Sequence, residues 1–272
     1  VTYSVAEVPS KQRKKIRIPD LMAGKGQRRM TCLTCYDASF ARLLEKTDLD
    51  LVLVGDSLGH VVQGKNTTTQ VTVEEVAYHT RCVAAALRTP VLVGDMPFAS
   101  AGLSAETTYK SAEILVRAGA EAVKIEGATK EICEQISCLT RHGIPVMGHI
   151  GLIPQSVHAL GGYKMQGKDQ KARDFLIDSA KRLEDAGVFS IVLEMVAEET
   201  SAVLTEGVRV PTVGIGSGSR CDGQILVLND MLGMNLDFQP KFLRRFAELE
   251  ATIVSAVGQY CAEVGSGAYP SL

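Results

Sequence analysis

Five apolar runs in this sequence end in, or carry, polar side chains that the interior of a buried strand would not need. Leu51–Val54 leads through Gly55 into Asp56 and Ser57, and Val91–Gly94 ends in Asp95. Val123-Lys124-Ile125-Glu126 carries a Lys and a Glu; Pro145–Gly148 ends in His149, and Ile191–Leu193 in Glu194. Lys124 and Glu126 are two apart, so in a strand both side chains leave on one face. Charges in an apolar interior are costly unless they are paired or bound to an ion. Asp56, Asp95 and Glu126 on adjacent strands would repel one another, and a hard divalent cation resolves that conflict. Carboxylates and water without a His/Cys cluster favour Mg²⁺ over Zn²⁺. Any one of these acids has a plainer use as a helix cap or salt-bridge partner. Together, the polar strand ends point to a site.

The elements that must hold these residues repeat one theme. Short β-branched runs at Met30–Cys35, Leu51–Gly55, Val91–Asp95, Ala122–Glu126, Pro145–Ile150, Ser190–Glu194 and Thr212–Gly216, with a weaker eighth near Gln224–Leu228, read as strands. Helical patterns lie between and after them at Val73–Leu87, Ala105–Arg117, Lys130–Arg141, Lys171–Ala186 and Phe242–Tyr260. The strands are continuously apolar, as in a parallel sheet buried on both faces. Such units fit a closed (β/α)8 TIM barrel, whose strand ends converge on one mouth. A doubly wound open sheet is the rival, and periodicity does not separate the two. Ala118-Gly119-Ala120 and Ala186-Gly187-Val188 place a glycine just past a helix end, where a left-handed residue starts the next strand quickly.

The composition is that of a globular domain, with 46% apolar and 22% charged residues among 272. Lys+Arg 29 against Asp+Glu 31 gives net −2, which argues against a general nucleic-acid binder. No run approaches the roughly 18 apolar residues of a membrane span. Residues 1–29 hold eight Lys/Arg against Glu7 and Asp20, a net +6 that leaves −8 on the rest. The expected layout is a basic, solvated N-terminal arm (1–29), one catalytic barrel (30–264) and a C-terminal tail (265–272). The arm carries no signal-peptide core. Seven scattered cysteines read as thiols in a reducing, cytoplasmic compartment, the Cys32/Cys35 pair included, since residues three apart on a strand face opposite sides.

Several features carry less. His60, His79, His142 and His158 show no metal spacing. Gly214–Gly218 (GIGSG) reads equally as a phosphate-cradling turn or a tight loop, and Gly161–Gly167 as a mobile lid or a long loop.

At these positions the chain resembles the ketopantoate hydroxymethyltransferase family. The segments are TCYDASFA (within 31–41), LVGDSLGHVVQG (53–64), TVEEVAYHTRCV (72–83), VGDMPF (93–98), VKIEG (123–127), GHIGLIPQSV (148–157), GGYKMQG (161–167), VLEMV (192–196), PTVGIGSG (211–218) and CDGQILVLNDMLG (221–233). The resemblance implies a barrel of the phosphoenolpyruvate/pyruvate type, Mg²⁺, and 5,10-methylenetetrahydrofolate as cosubstrate. The implied reaction is hydroxymethyl transfer to 3-methyl-2-oxobutanoate through a Mg-stabilised enolate, giving ketopantoate for pantothenate synthesis. It further implies that Asp56 and Asp95 ligate the metal within the oxo-acid site and that Glu126 acts near the metal through water. Ser57 and Lys124 would contact the oxo acid, Glu194 would be the base, and the assembly would be a homodecamer. Two rivals stand beside it. One is a Mg²⁺-dependent C–C lyase on a 2-oxo acid, which needs no methylene donor. The other is a non-catalytic metabolite-binding scaffold, which has no use for a base.

Overall fold

The computed structural model describes residues 13–156, 164–235 and 240–270. His158 and the start of the Gly161–Gly167 loop lie outside them. The chain divides into two compact units, Val1–Ile225 and Leu226–Leu272. Eight strands close into a barrel in sequence order: β1 Met30–Thr34, β2 Leu51–Val54, β3 Val91–Asp95, β4 Ala122–Glu126, β5 Val146–Gly151, β6 Ser190–Glu194, β7 Thr212–Ile215 and β8 Gly223–Leu226. The paired strands run parallel. This is the expected (β/α)8 architecture, and closure removes the open-sheet rival.

The helices start where the sequence supplies caps. Thr72 and Glu75 form a capping box ahead of α4 (Val73–Ala84), following α1 Ile18–Ala23, α2 Ala38–Leu44 and α3 Leu58–Val61. Ser104, Thr129 and Asp169 each accept a backbone N–H at the heads of α5 (Ala105–Arg117), α6 (Lys130–Arg141) and α7 (Gln170–Asp185). α8 is Glu198–Gly207. Gly119, at φ +108°, ends the α5 turn, and a Cβ there would stand 2.6 Å from that of Ala84. Only glycine allows both that conformation and that approach.

Inside the barrel the side chains change character with height. Leu51, Leu53, Val91, Val93, Ala122, Met147, Val192 and Val213 fill the lower interior as one apolar cluster. Two residues further along the same strand faces stand Asp95 after Val93, Lys124 after Ala122, His149 after Met147 and Glu194 after Val192. Strand alternation of period two therefore carries the apolar column directly into a polar one at the mouth.

The basic segment is not a solvated arm over residues 13–29. Leu21 is fully buried in the barrel cluster, and Ile16 and Ile18 pack against it. Arg28 pairs with Asp50 at 2.7 Å and Lys25 with Asp222 at 2.8 Å; Arg13 pairs with Asp48 and Lys15 with Glu121. The segment is basic because it covers acids at the strands' N-terminal ends.

In the second unit, α9 spans Leu228–Met231 and α10 spans Leu249–Ser266. The sequence predicted a helix at Phe242–Tyr260. It starts later because the amides of Phe246 and Leu249 donate to Met231 and Leu232 rather than to a preceding turn. It ends later because Gly267, at φ +77°, supplies the left-handed cap.

Leu21→Ala should lower the unfolding free energy by about 2–5 kcal/mol, the usual cost of emptying a core leucine site. Urea denaturation checks this; an unchanged midpoint would remove the segment from the core.

Candidate active site

Strand register brings the polar residues together. Asp95 on β3 is the partner of Lys124 on β4, and Glu126 on β4 is the partner of His149 on β5. Lys124 Nζ donates to both Asp95 oxygens, at 2.7 and 2.8 Å, and lies 3.4 Å from Glu126 Oε1. His149 Nδ1 stands 3.3 Å from the same Glu126 oxygen, and Nε2 stands 3.4 Å from Glu194 Oε2. Asp56 follows β2 and donates its backbone N–H to Asp95 Oδ2 at 3.1 Å. Ser57, next in the chain, shares a 2.8 Å hydrogen bond with the Tyr36 hydroxyl. The structure thus gathers Asp56, Asp95, Lys124, Glu126 and Glu194 in one chain of contacts, with Ser57 adjoining Asp56.

The electrostatics divide the acids by role. Burial alone would raise the Glu126 carboxyl, but the Lys124 ammonium and then His149 hold it down to about 2. Burial would likewise lower the Lys124 ammonium, yet Asp95, Glu126 and Asp56 push it well above its ordinary value. Asp56 moves the other way. Burial, then the Asp95 and Glu126 carboxylates, raise it well above the carboxylate range despite Lys124. Glu194 is raised to about 7, chiefly by burial. Its side chain still keeps 21% of its surface open, enough to meet a ligand at the mouth.

These residues fit a hard dication. Asp56 has one side-chain hydrogen bond given to it, from Gln155 Nε2 at 3.1 Å, and its charge is opposed by two neighbouring carboxylates. Among the described residues no group of three or more His, Cys, Asp or Glu side chains is arranged to hold an ion unaided. Mg²⁺ takes one or two carboxylates and completes its shell with water and substrate.

Three contributors carry no assigned role in the sequence reading. His149 was visible as a polar strand end, and its spacing from Met147 repeats that of Lys124 and Glu126. Gln155 joins three strands' worth of groups: Nε2 donates to Asp56 and to the Met96 carbonyl, and its backbone N–H to Glu126 Oε2. It is uncharged and sits in a 3-10 turn, Pro154–Ser156, so only its position after β5 could have marked it. Tyr36, which fixes Ser57, lies in the TCYDASFA segment of the resemblance, but nothing there marked its contact. The Gly214–Gly218 turn is packed tightly: a Cβ at Gly218 would stand 2.5 Å from Glu198, whose carboxylate takes the Ser219 amide at 3.0 Å. All seven cysteines are free thiols, and burial raises Cys35 to about 11.

The family model described as ketopantoate hydroxymethyltransferase matches residues 15–272. The chain is 47% identical over 247 residues to the 3-methyl-2-oxobutanoate hydroxymethyltransferase of Leptospira interrogans, covering 90% of this chain and 93% of the relative. It is 46% identical over 256 residues to that of Thermotoga neapolitana, covering 94% of each. The chain belongs to the ketopantoate hydroxymethyltransferase family. It is an enzyme, and this family's barrel has solved structural kin. A phosphonopyruvate hydrolase aligns over 94% of this chain and 92% of its own, with TM-score 0.62 and 13% identity. A 2,3-dimethylmalate lyase of the PEP mutase/isocitrate lyase superfamily aligns over 94% and 89%, with TM-score 0.58 and 13% identity. At that identity they show the shared fold.

For this family member, Lys124→Met leaves Asp95 and Glu126 as buried carboxylates without their ammonium partner. It should cost about 3–5 kcal/mol of stability at neutral pH. In the wild type the depressed Glu126 carboxyl contributes stability above the ordinary carboxylate range and loses it only as pH falls toward 2. In the variant the deficit should instead shrink on acidification, because protonation removes the stranded charge. Urea midpoints at neutral and mildly acid pH test this; a deficit that grows with acid contradicts it.

Proposed function

We propose that the enzyme transfers a hydroxymethyl group from 5,10-methylenetetrahydrofolate to C3 of 3-methyl-2-oxobutanoate, forming ketopantoate for pantothenate synthesis. The observation that carries this reading is Glu194: a partly buried carboxylate raised to about 7, at the barrel mouth and apart from the Lys124 salt bridge. Such a group is poised as a general base near neutral pH. Asp56 and Asp95 would hold Mg²⁺, with Glu126 acting near it through water. Mg²⁺, when bound, supplies positive charge to the oxo acid's ketone and carboxylate oxygens.

This chain's own residues do the rest. Lys124, with Ser57 fixed by Tyr36, orients the oxo acid and adds positive charge at its carboxylate. Glu194 takes the C3 proton. The electron pair left at C3 forms the new C–C bond to the donor's methylene carbon. That carbon's bonds to the folate nitrogens break and water supplies the hydroxyl oxygen, while the proton taken by Glu194 and one proton of that water pass to the two nitrogens, so that tetrahydrofolate leaves. The reading gains support from the two relatives' names, and from a phosphonopyruvate hydrolase of the same fold solved with oxalate and Mg²⁺. Its homodecameric, cytoplasmic form belongs to the same proposal. Exposed Ile253, Val254, Val257, Tyr260 and Val264 on α10 favour assembly, and sedimentation velocity tests the decamer.

The decisive assay is ketopantoate formation with and without the folate donor and Mg²⁺. Product requiring both supports the proposal; cleavage of an oxo acid without the donor would favour a lyase. Asp56→Ala should abolish turnover and weaken Mg²⁺ binding by calorimetry. Glu194→Gln should still bind the oxo acid but stop exchange of its C3 proton in deuterated water. A base works only when deprotonated, so wild-type exchange should fall below pH ~7 by about tenfold per unit and level off above it. A profile flat from pH 5 to 8 would count against Glu194.

A further inference from the structure

His149 is a buried ionisable group at the mouth that the mechanism above does not use. Its side chain is 1% exposed, and neither ring nitrogen completes a hydrogen bond of proper angle. Leaving a buried polar atom unmet is costly, so such groups are nearly always paired. Both nitrogens nonetheless aim at carboxylates: Nδ1 is 3.3 Å from Glu126 Oε1, and Nε2 is 3.4 Å from Glu194 Oε2. Among the described residues no other Lys, Arg or His side chain stands within ion-pair distance of Glu194. Glu126 is itself held from two further sides, by Lys124 and by the Gln155 backbone N–H. The imidazole therefore spans a fixed carboxylate and a free one. Contacts of this kind are long in the empty site and tighten when substrate is bound.

We infer that His149 is a positioning residue for Glu194, its Nδ1 side anchored on Glu126 and its Nε2 side aiming the carboxylate that takes the C3 proton. The inference deepens the proposed function and rests on Glu194 being the base. It explains how a carboxylate with open surface keeps one orientation. It also couples the base to the cluster that holds the oxo acid, since Glu126 contacts both Lys124 and His149.

Two amide replacements separate the ends of the ring. Asn places its amide nitrogen near the Nδ1 position, facing Glu126; Gln reaches the Nε2 position, facing Glu194. The readouts are C3-proton exchange in deuterated water, followed by proton NMR, and the dissociation constant of 3-methyl-2-oxobutanoate with Mg²⁺. His149→Asn should slow exchange by about a hundredfold, the scale of a misplaced reacting group. His149→Gln should recover most of that rate, and both should bind the oxo acid as the wild type does. A merely structural histidine would be replaced equally well or equally badly by either amide. Equal rates in the two variants, or the reverse order, overturn the inference.

Glu194→Gln is the companion control. If it exchanges at the wild-type rate, the base assignment fails; if it is silent while His149→Asn exchanges normally, only the positioning role fails. Should either His149 replacement not fold, the ring N–H proton resonances of His149 in the wild type decide. An Nε2–H resonance shifted in Glu194→Gln supports the contact, and one left unmoved overturns it.

Discussion

The hold of Lys124 on both oxygens of Asp95, at 2.7 and 2.8 Å inside the barrel, is the contact on which the mouth depends. One ammonium there answers the carboxylates of Asp95 and Glu126, and a third, Asp56, is left over. Buried charge persists only when matched. The raised Asp56 carboxyl is the physical sign of the mismatch: without another cation the group tends to give up its charge. On the proposed reading, a dication at that point would restore the charge, and an oxo acid would bring oxygens able to share it. The same imbalance that would destabilise an idle barrel is what makes this one receptive.

The opposite end of the barrel shows that the imbalance is local. At the N-terminal ends of the strands, Asp50 meets Arg28 and also accepts the Thr31 amide, and Asp222 meets Lys25 and the Thr212 amide. Every one of these acids is matched by a cation or amide from the same chain. The chain can therefore neutralise its buried acids, and at the base it uses the basic N-terminal segment to do so. At the mouth Lys124 is the one Lys or Arg among the described residues that meets these carboxylates, the other contacts coming from amides and the His149 ring. Conserving an unmatched charge at one end and matching it at the other is how stability and chemistry are kept apart in a barrel.

The strand ends were legible in the sequence because two rules coincide there. Continuous apolar runs mark strands of a buried parallel sheet, and a polar residue closing such a run has nowhere to go but the mouth. Lys124 and Glu126 declared a shared face by spacing alone. Asp95 and Lys124 did not: their pairing is a matter of register between strands, which no local pattern states. His149 was visible as a residue but not as a bridge, for the same reason. Gln155 and Tyr36 act through uncharged groups on turns and loops, where a sequence carries little signal. The basic segment looked solvated because charge dominates its composition, while Ile16, Ile18 and Leu21, the residues that bury it, are few. The late start of α10 depends on amides that donate to Met231 and Leu232, contacts made beyond the reach of helical periodicity.

The backbone around Glu194 suits the base proposed here, a group that must be aimed yet stay free to take a proton. Its carbonyl accepts the Leu152 amide at 2.8 Å, the next amide donates to Ile215 at 2.8 Å, and the Met195 carbonyl accepts Gln166 at 2.7 Å. Met195 is held at φ +50°, a left-handed conformation unusual for a side chain of its kind. Gly151 approaches so closely that a Cβ there would lie 2.3 Å from the Glu194 carbonyl oxygen. Strain of about 1–3 kcal/mol survives only where surrounding contacts over-determine it, and here three hydrogen bonds and a glycine do so. Rigidity is thus placed in the main chain on both sides of Glu194, while among the described residues its carboxylate meets one basic side chain, the His149 ring. A carboxylate salt-bridged as Glu126 is would be too acidic to take a proton from carbon; one set on an equally firm strand with no Lys or Arg beside it keeps the basicity that the proposed proton abstraction would require.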